Sequence, residues 1–148
     1  MDYKKIVVQW LEFPIPQVNP RETKLDPDVD FIWTVIGARR TGKTFFCFQI
    51  IHDLLTRGVP KENILYLNFE DEKLLGANAS DLAKLIDAYL ELSPPDKNFK
   101  CYFFLDEIQN VEQWDTWARR MHDTEKSVRL VPWPGNSQSC VSQISKSV

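Results

Sequence analysis

Residues Gly37-Ala38-Arg39-Arg40-Thr41-Gly42-Lys43-Thr44 follow the pattern G-x-x-x-x-G-K-[ST], the signature of a loop that wraps phosphate groups. The chemistry is explicit. Backbone N–H groups along the loop cradle the phosphates of a nucleotide, so Ala38, Arg39, Arg40 and Thr41 contribute through their main chain. Gly37 and Gly42 allow a close backbone approach that a side chain would obstruct. Lys43 neutralises the outer phosphates as a point charge, and the Thr44 hydroxyl is the expected ligand of Mg²⁺.

A second cluster completes the set. The apolar run Cys101-Tyr102-Phe103-Phe104-Leu105 ends in Asp106-Glu107. An acidic residue at the carboxyl end of such a strand holds Mg²⁺ in phosphate-loop proteins, often through water, and magnesium takes few protein carboxylates beside phosphate oxygens. Asp106 is therefore expected across the metal from Thr44. Glu107 lies where the chain leaves the strand, placed to orient or deprotonate a water attacking the γ-phosphate in line.

The remaining polar groups are read as less informative. Glu70-Asp71-Glu72 faces the same sheet edge and reads as a solvated charge run, as do Asp26, Asp28 and Asp30. Arg119-Arg120 is a candidate source of a transition-state arginine, though an exposed basic helix face is the commoner reading. His52 and His122 have no partner at metal or triad spacing. Trp114 and Trp117, three apart on one helix face, are expected in the core or in a contact patch.

These groups need a scaffold, and the hydrophobic pattern supplies one. Phe31 to Ile36 is a short apolar, β-branched run ending at Gly37, which predicts a buried strand. Phe45 to Leu55 predicts a helix stopped at Gly58. Ile64 to Phe69 is a second strand. Leu82, Leu85, Ile86, Tyr89 and Leu90 recur at helical spacing before Pro94-Pro95. Cys101–Leu105 is a third strand, apolar throughout as befits one covered on both faces. Glu112 to His122 predicts a helix, and Val128 begins a fourth strand. Strands alternating with helices imply an α/β fold with a parallel sheet, a three-layer α/β/α arrangement.

Domain organisation follows: residues 1–30 as an extended, proline-rich lead-in, 31–131 as the core, 132–148 as an irregular polar tail. Within the lead-in, Ile6 to Leu11 fits a short helix or a strand, and Pro14, Pro16, Pro20 and Pro27 exclude a long regular element. It is read equally as a cover for the base side of a nucleotide site and as a packing or partner-binding arm.

The chain's 148 residues suit one domain, and 43% hydrophobic content suffices for a core. A net charge of −3 and pI near 5.4 give no broad basic field, so nucleic acid is not indicated as a partner. Cys47, Cys101 and Cys140 are far apart without metal spacing, and the first two, in apolar runs, read as buried free thiols. No secretory pattern and no membrane-length apolar run is present, so the expectation is a cytoplasmic protein with no membrane partner.

Three segments together resemble a known group: Val35 to Thr44, Ile64 to Asp71, and Phe103-Phe104-Leu105-Asp106-Glu107-Ile108-Gln109-Asn110-Val111 with Trp114 and Arg119-Arg120 downstream. They look like the AAA+-type ATPases of archaea and bacteria that combine a G-x-R-R-x-G-K-T loop with an L-D-E-I-Q-N-V segment. The resemblance implies the additional-strand, catalytic-glutamate branch of phosphate-loop folds, in which the strand from Val128 separates the loop strand from the one bearing Asp106. It also implies ATP as the nucleotide. Family members follow the fourth strand with a small polar run that senses the γ-phosphate, then a fifth strand and a helical lid. Here Pro132-Trp133-Pro134-Gly135-Asn136-Ser137 follows instead, and Pro132 and Pro134 are expected to break the strand. The resemblance thus implies a member truncated or altered at its C-terminus, with Asn136 or Ser137 as a displaced sensor.

The expected function is an ATP-binding, Mg²⁺-dependent ATPase core, a nucleoside triphosphate hydrolase with Lys43 and Glu107 as its catalytic residues. The alternative is a nucleotide-dependent binding or switch module with little hydrolysis. A small-molecule kinase is the weakest reading, because no acceptor or lid segment is evident. A protein partner or self-association is left open.

Overall fold

The computed structural model describes residues 1–15 and 43–133, with 43–46 and 133 by their backbone alone. The strand expected at 31–36, the loop residues Gly37 to Gly42 and the tail from Pro134 onward lie outside the described residues.

Among the described residues are four helices and three strands, in the order α1 Tyr3–Glu12, α2 Lys43–Thr56, β1 Ile64–Asn68, α3 Ala79–Leu92, β2 Cys101–Asp106, α4 Trp114–Thr124 and β3 Val128–Trp133. The described strands form one parallel sheet in the order β1-β2-β3. Every residue of β2 is buried, which is why its sequence is apolar without alternation. Both edges of β2 are occupied, so any further strand of this sheet must join at β1 or β3.

The two faces of the sheet are covered differently. On one, the Tyr89 ring of α3 meets Phe103 edge to face, with centroids 5.6 Å apart, and Trp117 of α4 is buried nearby. On the other, Phe48 of α2 packs on Tyr66 of β1 at 4.9 Å. The α/β class and the layers match the expectation. Helix α3 opens with a reciprocal capping box, Asn78 accepting from the Asp81 N–H and Asp81 accepting from that of Asn78. Buried Asn63 donates to the carbonyls of Asp96, Phe99 and Lys100, fixing the loop that leads into β2.

Two expectations need correction. The first concerns the lead-in, which is helical rather than extended over Tyr3–Glu12. Asp2 caps it by accepting from the Lys5 N–H, and Ile6, Val7 and Trp10 form its buried stripe. The Trp10 indole donates to the Ile64 carbonyl at 2.6 Å, so α1 closes the edge of β1. Lys61 donates to the carbonyls of Leu11 and Phe13 at the helix end and lies 5.1 Å from the Trp10 ring centroid. Pro14, the one proline of the four among the described residues, lies just past the end of this helix.

The second concerns Pro132, which does not end the fourth strand. β3 runs on to Trp133, with Pro132 opposite Leu105. Successive N–H groups of a parallel strand point alternately to its two sides, so one proline removes one bond on one side only. Among the described strands β3 is also an edge, where proline is tolerated.

Candidate functional site

The carboxyl ends of the strands gather the chemistry. Asp106 is the last residue of β2 and is 1% exposed; Glu107 follows at 5%. The ladder continues past Asn68, because the Phe69 N–H donates to the Asp106 carbonyl at 2.9 Å. The backbone then turns sharply: Glu107 adopts φ 56°, ψ 40°, and a 3₁₀ turn over Ile108–Asn110 follows. A non-glycine residue in this left-handed region costs about 1–3 kcal/mol and is held there by its surroundings.

Hydrogen bonds orient both acids. The Tyr66 hydroxyl donates to Asp106 Oδ2 at 2.7 Å, and the Gln109 amide donates to Glu107 Oε2 at 2.5 Å. Burial first, and then the Asp106 charge, pushes the Tyr66 phenol far up, so it stays a neutral donor. The Cys47 thiol is likewise raised by burial and then by Asp106, which keeps it protonated and unreactive. Cys47 and Cys101 are buried free thiols, as their apolar settings implied.

The influence of the Asp106 charge on Cys47 places this part of α2 near the end of β2. Cys47 lies on the first turns of α2, within reach of the Asp106 charge. Lys43 and Thr44 begin the same helix, and Thr44 is three residues before Cys47 in sequence. The sheet therefore brings Asp106, Glu107 and the start of α2 to one end of the domain. Gly37, Ala38, Arg39, Arg40, Thr41 and Gly42 lie outside the described residues.

The other candidates differ in exposure. Glu70, Asp71 and Glu72 are exposed, and Asp71 caps a 3₁₀ turn by accepting from the Lys73 N–H. Arg120 and His52 are exposed, and Arg119 and His122 are half-buried on α4. Trp114 and Trp117 are core residues. Sequence reasoning missed Tyr66, read only as part of the second strand, and Gln109, read only as part of a motif. No local pattern could have marked Tyr66, since its partner is on another strand.

The comparisons with known proteins agree with this architecture. Residues 30–148 match the family described as "AAA domain". The chain belongs to that family. Members are nucleotide-binding, ATPase-type domains that generally bind ATP with Mg²⁺. The match includes the strand, loop and tail segments beyond the described residues. This AAA domain is 41% identical over 103 residues to the uncharacterized protein MJ1544 of Methanocaldococcus jannaschii, covering 70% of the chain and 21% of that relative. An uncharacterized protein of Haemophilus influenzae is 42% identical over 88 residues, 59% of the chain and 21% of the relative. The matched stretch is thus about a fifth of either relative's length. No solved structure gives a significant match. Among the described residues, no helix of the AAA domain is long and apolar enough to cross a membrane.

Proposed function

We propose that this AAA domain binds ATP with Mg²⁺ and hydrolyses the β–γ bond with an activated water. The observation that carries the reading is the burial of Asp106 and Glu107 at the end of β2, against the helix that begins with Lys43 and Thr44. Lys43 neutralises β/γ charge, and the backbone of Gly37 to Thr44 wraps the phosphates. Glu107 polarises the water and takes its proton.

The donor set suits the metal. Among the described residues no cluster of three or more His, Cys, Asp or Glu side chains is formed. Magnesium needs none, taking one or two carboxylates with phosphate oxygens and waters. Asp106, with its hard carboxylate oxygens, and Thr44 would hold the ion, which when bound shields the phosphate charge. Activity, substrates and partners of any longer protein containing this domain are part of the same proposal.

A slow-turnover nucleotide switch is the second reading, favoured by the Gln109 amide already occupying Glu107 Oε2. The test is ATP titration with phosphate release for the native chain, Lys43→Ala and Glu107→Gln. The hydrolase reading expects Lys43→Ala to weaken ATP binding and Glu107→Gln to bind ATP without turnover. Tight binding with negligible native turnover selects the switch. Undiminished binding by Lys43→Ala overturns both.

A further inference from the structure

Tyr66 and Asp106 lie on neighbouring strands of one sheet face. In the register of β1 and β2, Asn68 stands opposite Asp106, so Tyr66 is two positions back on the same side. Two residues of strand span about 6.6 Å. A phenol crosses that diagonal, where serine or threonine would fall short. The hydroxyl arrives at 2.7 Å from Asp106 Oδ2, a bond from a neutral donor to a buried carboxylate.

The ring is itself packed against two other rings. Phe48 of α2 lies 4.9 Å away and Trp10 of α1 lies 5.8 Å away, centroid to centroid. Trp10 is in turn fixed by its bond to the Ile64 carbonyl. A carboxylate pinned at one oxygen by an immobile donor loses rotation about its terminal bond. That directs the whole group.

We propose that Tyr66 is a positioning residue for the metal-binding carboxylate, setting the orientation in which Asp106 meets Mg²⁺. This rests on the reading of Asp106 as a metal ligand given above. In this role Tyr66 acts through its bond to Asp106 and not on the ion. Hydrogen-bond partners of ligating groups typically alter metal affinity by about tenfold to a hundredfold when removed.

Tyr66→Phe keeps the ring and deletes the hydroxyl. The measurements are Mn²⁺ binding in the presence of ADP, followed by electron paramagnetic resonance, and ATP affinity with and without Mg²⁺. The expected result is Mn²⁺ affinity reduced about tenfold or more, with metal-free ATP affinity within about twofold. Asp106→Asn is run beside it, with the double variant. If Tyr66 acts through Asp106, Tyr66→Phe changes metal affinity no further in the Asp106→Asn background. Unchanged metal affinity in Tyr66→Phe, with Asp106→Asn strongly impaired, overturns the role of Tyr66 and leaves the metal reading standing. Unchanged affinity in Asp106→Asn overturns both. A fully additive double variant also overturns the proposal, because a purely structural Tyr66 would weaken binding independently of Asp106. Should Tyr66→Phe fail to fold, Phe48→Leu loosens the ring while keeping the hydroxyl. A smaller loss of Mn²⁺ affinity is then expected, and none would count against the proposal.

Discussion

Gln109 Nε2 lies 2.5 Å from Glu107 Oε2, and the two residues belong to one turn in which Glu107 takes a positive φ of 56°. The turn folds the amide back onto the carboxylate two positions before it. The group proposed to handle water is therefore held by its own local backbone, while Asp106 beside it is held from another strand by Tyr66.

Glu107 offers a separation of chemistry from strain. Glu107→Gln should lower phosphate release by about 10²–10⁴-fold while leaving ATP affinity within a few fold. Glu107→Gly should lose the same turnover but keep or raise its urea unfolding midpoint, because glycine adopts positive φ without penalty. A large loss of stability in Glu107→Gly would show that the side chain, not the backbone, holds the turn.

Gln109→Ala should release one carboxylate oxygen. Single-turnover hydrolysis is expected to quicken by about three- to tenfold, with ATP affinity unchanged, if the bond restrains Glu107. A fall in rate would mean instead that the amide aligns the carboxylate for the water.

Trp10 tests the edge of the sheet. Trp10→Phe retains an apolar ring and leaves the buried Ile64 carbonyl without its 2.6 Å donor. A loss of about 1–3 kcal/mol is expected from urea denaturation. An unchanged midpoint would show that α1 contributes nothing to closing β1.

Asp81 gives a pH dependence. Its carboxyl is held below the usual carboxylate range, chiefly by the Tyr3 hydroxyl and then by the Asn78 N–H. A depressed folded-state pKa stabilises the protein above the unfolded value and loses that stabilisation as pH falls through the lower folded value. Asp81→Asn should therefore narrow the stability gap between neutral pH and pH below about 4. An acid unfolding profile identical to that of the native chain would refute the assignment.

Much of the fold was legible because periodicity reports burial directly. The continuous apolar run of Cys101–Leu105 meant a strand covered on both faces, and the spacing of Leu82, Leu85, Ile86, Tyr89 and Leu90 meant helix α3, on which all of these but Leu90 are buried. Pro132 was misread because a local rule about proline ignores which edge of the strand the missing donor would serve. The lead-in helix was undecided because six residues around Trp10 fit either period. Its partners, Ile64 and Asp81, are far away in sequence.

The sequence by itself determined the candidate groups: a loop pattern ending in Lys43-Thr44, and two acids at the end of an apolar strand. Residue type and spacing along one chain settle that, because each motif is local. Only the tertiary structure decided how the acids are held. Tyr66 reaches Asp106 through the register of two strands, and the Cys47 end of α2 lies within the influence of the same carboxylate. Those relationships depend on the pairing of segments separated in sequence, which no local pattern encodes.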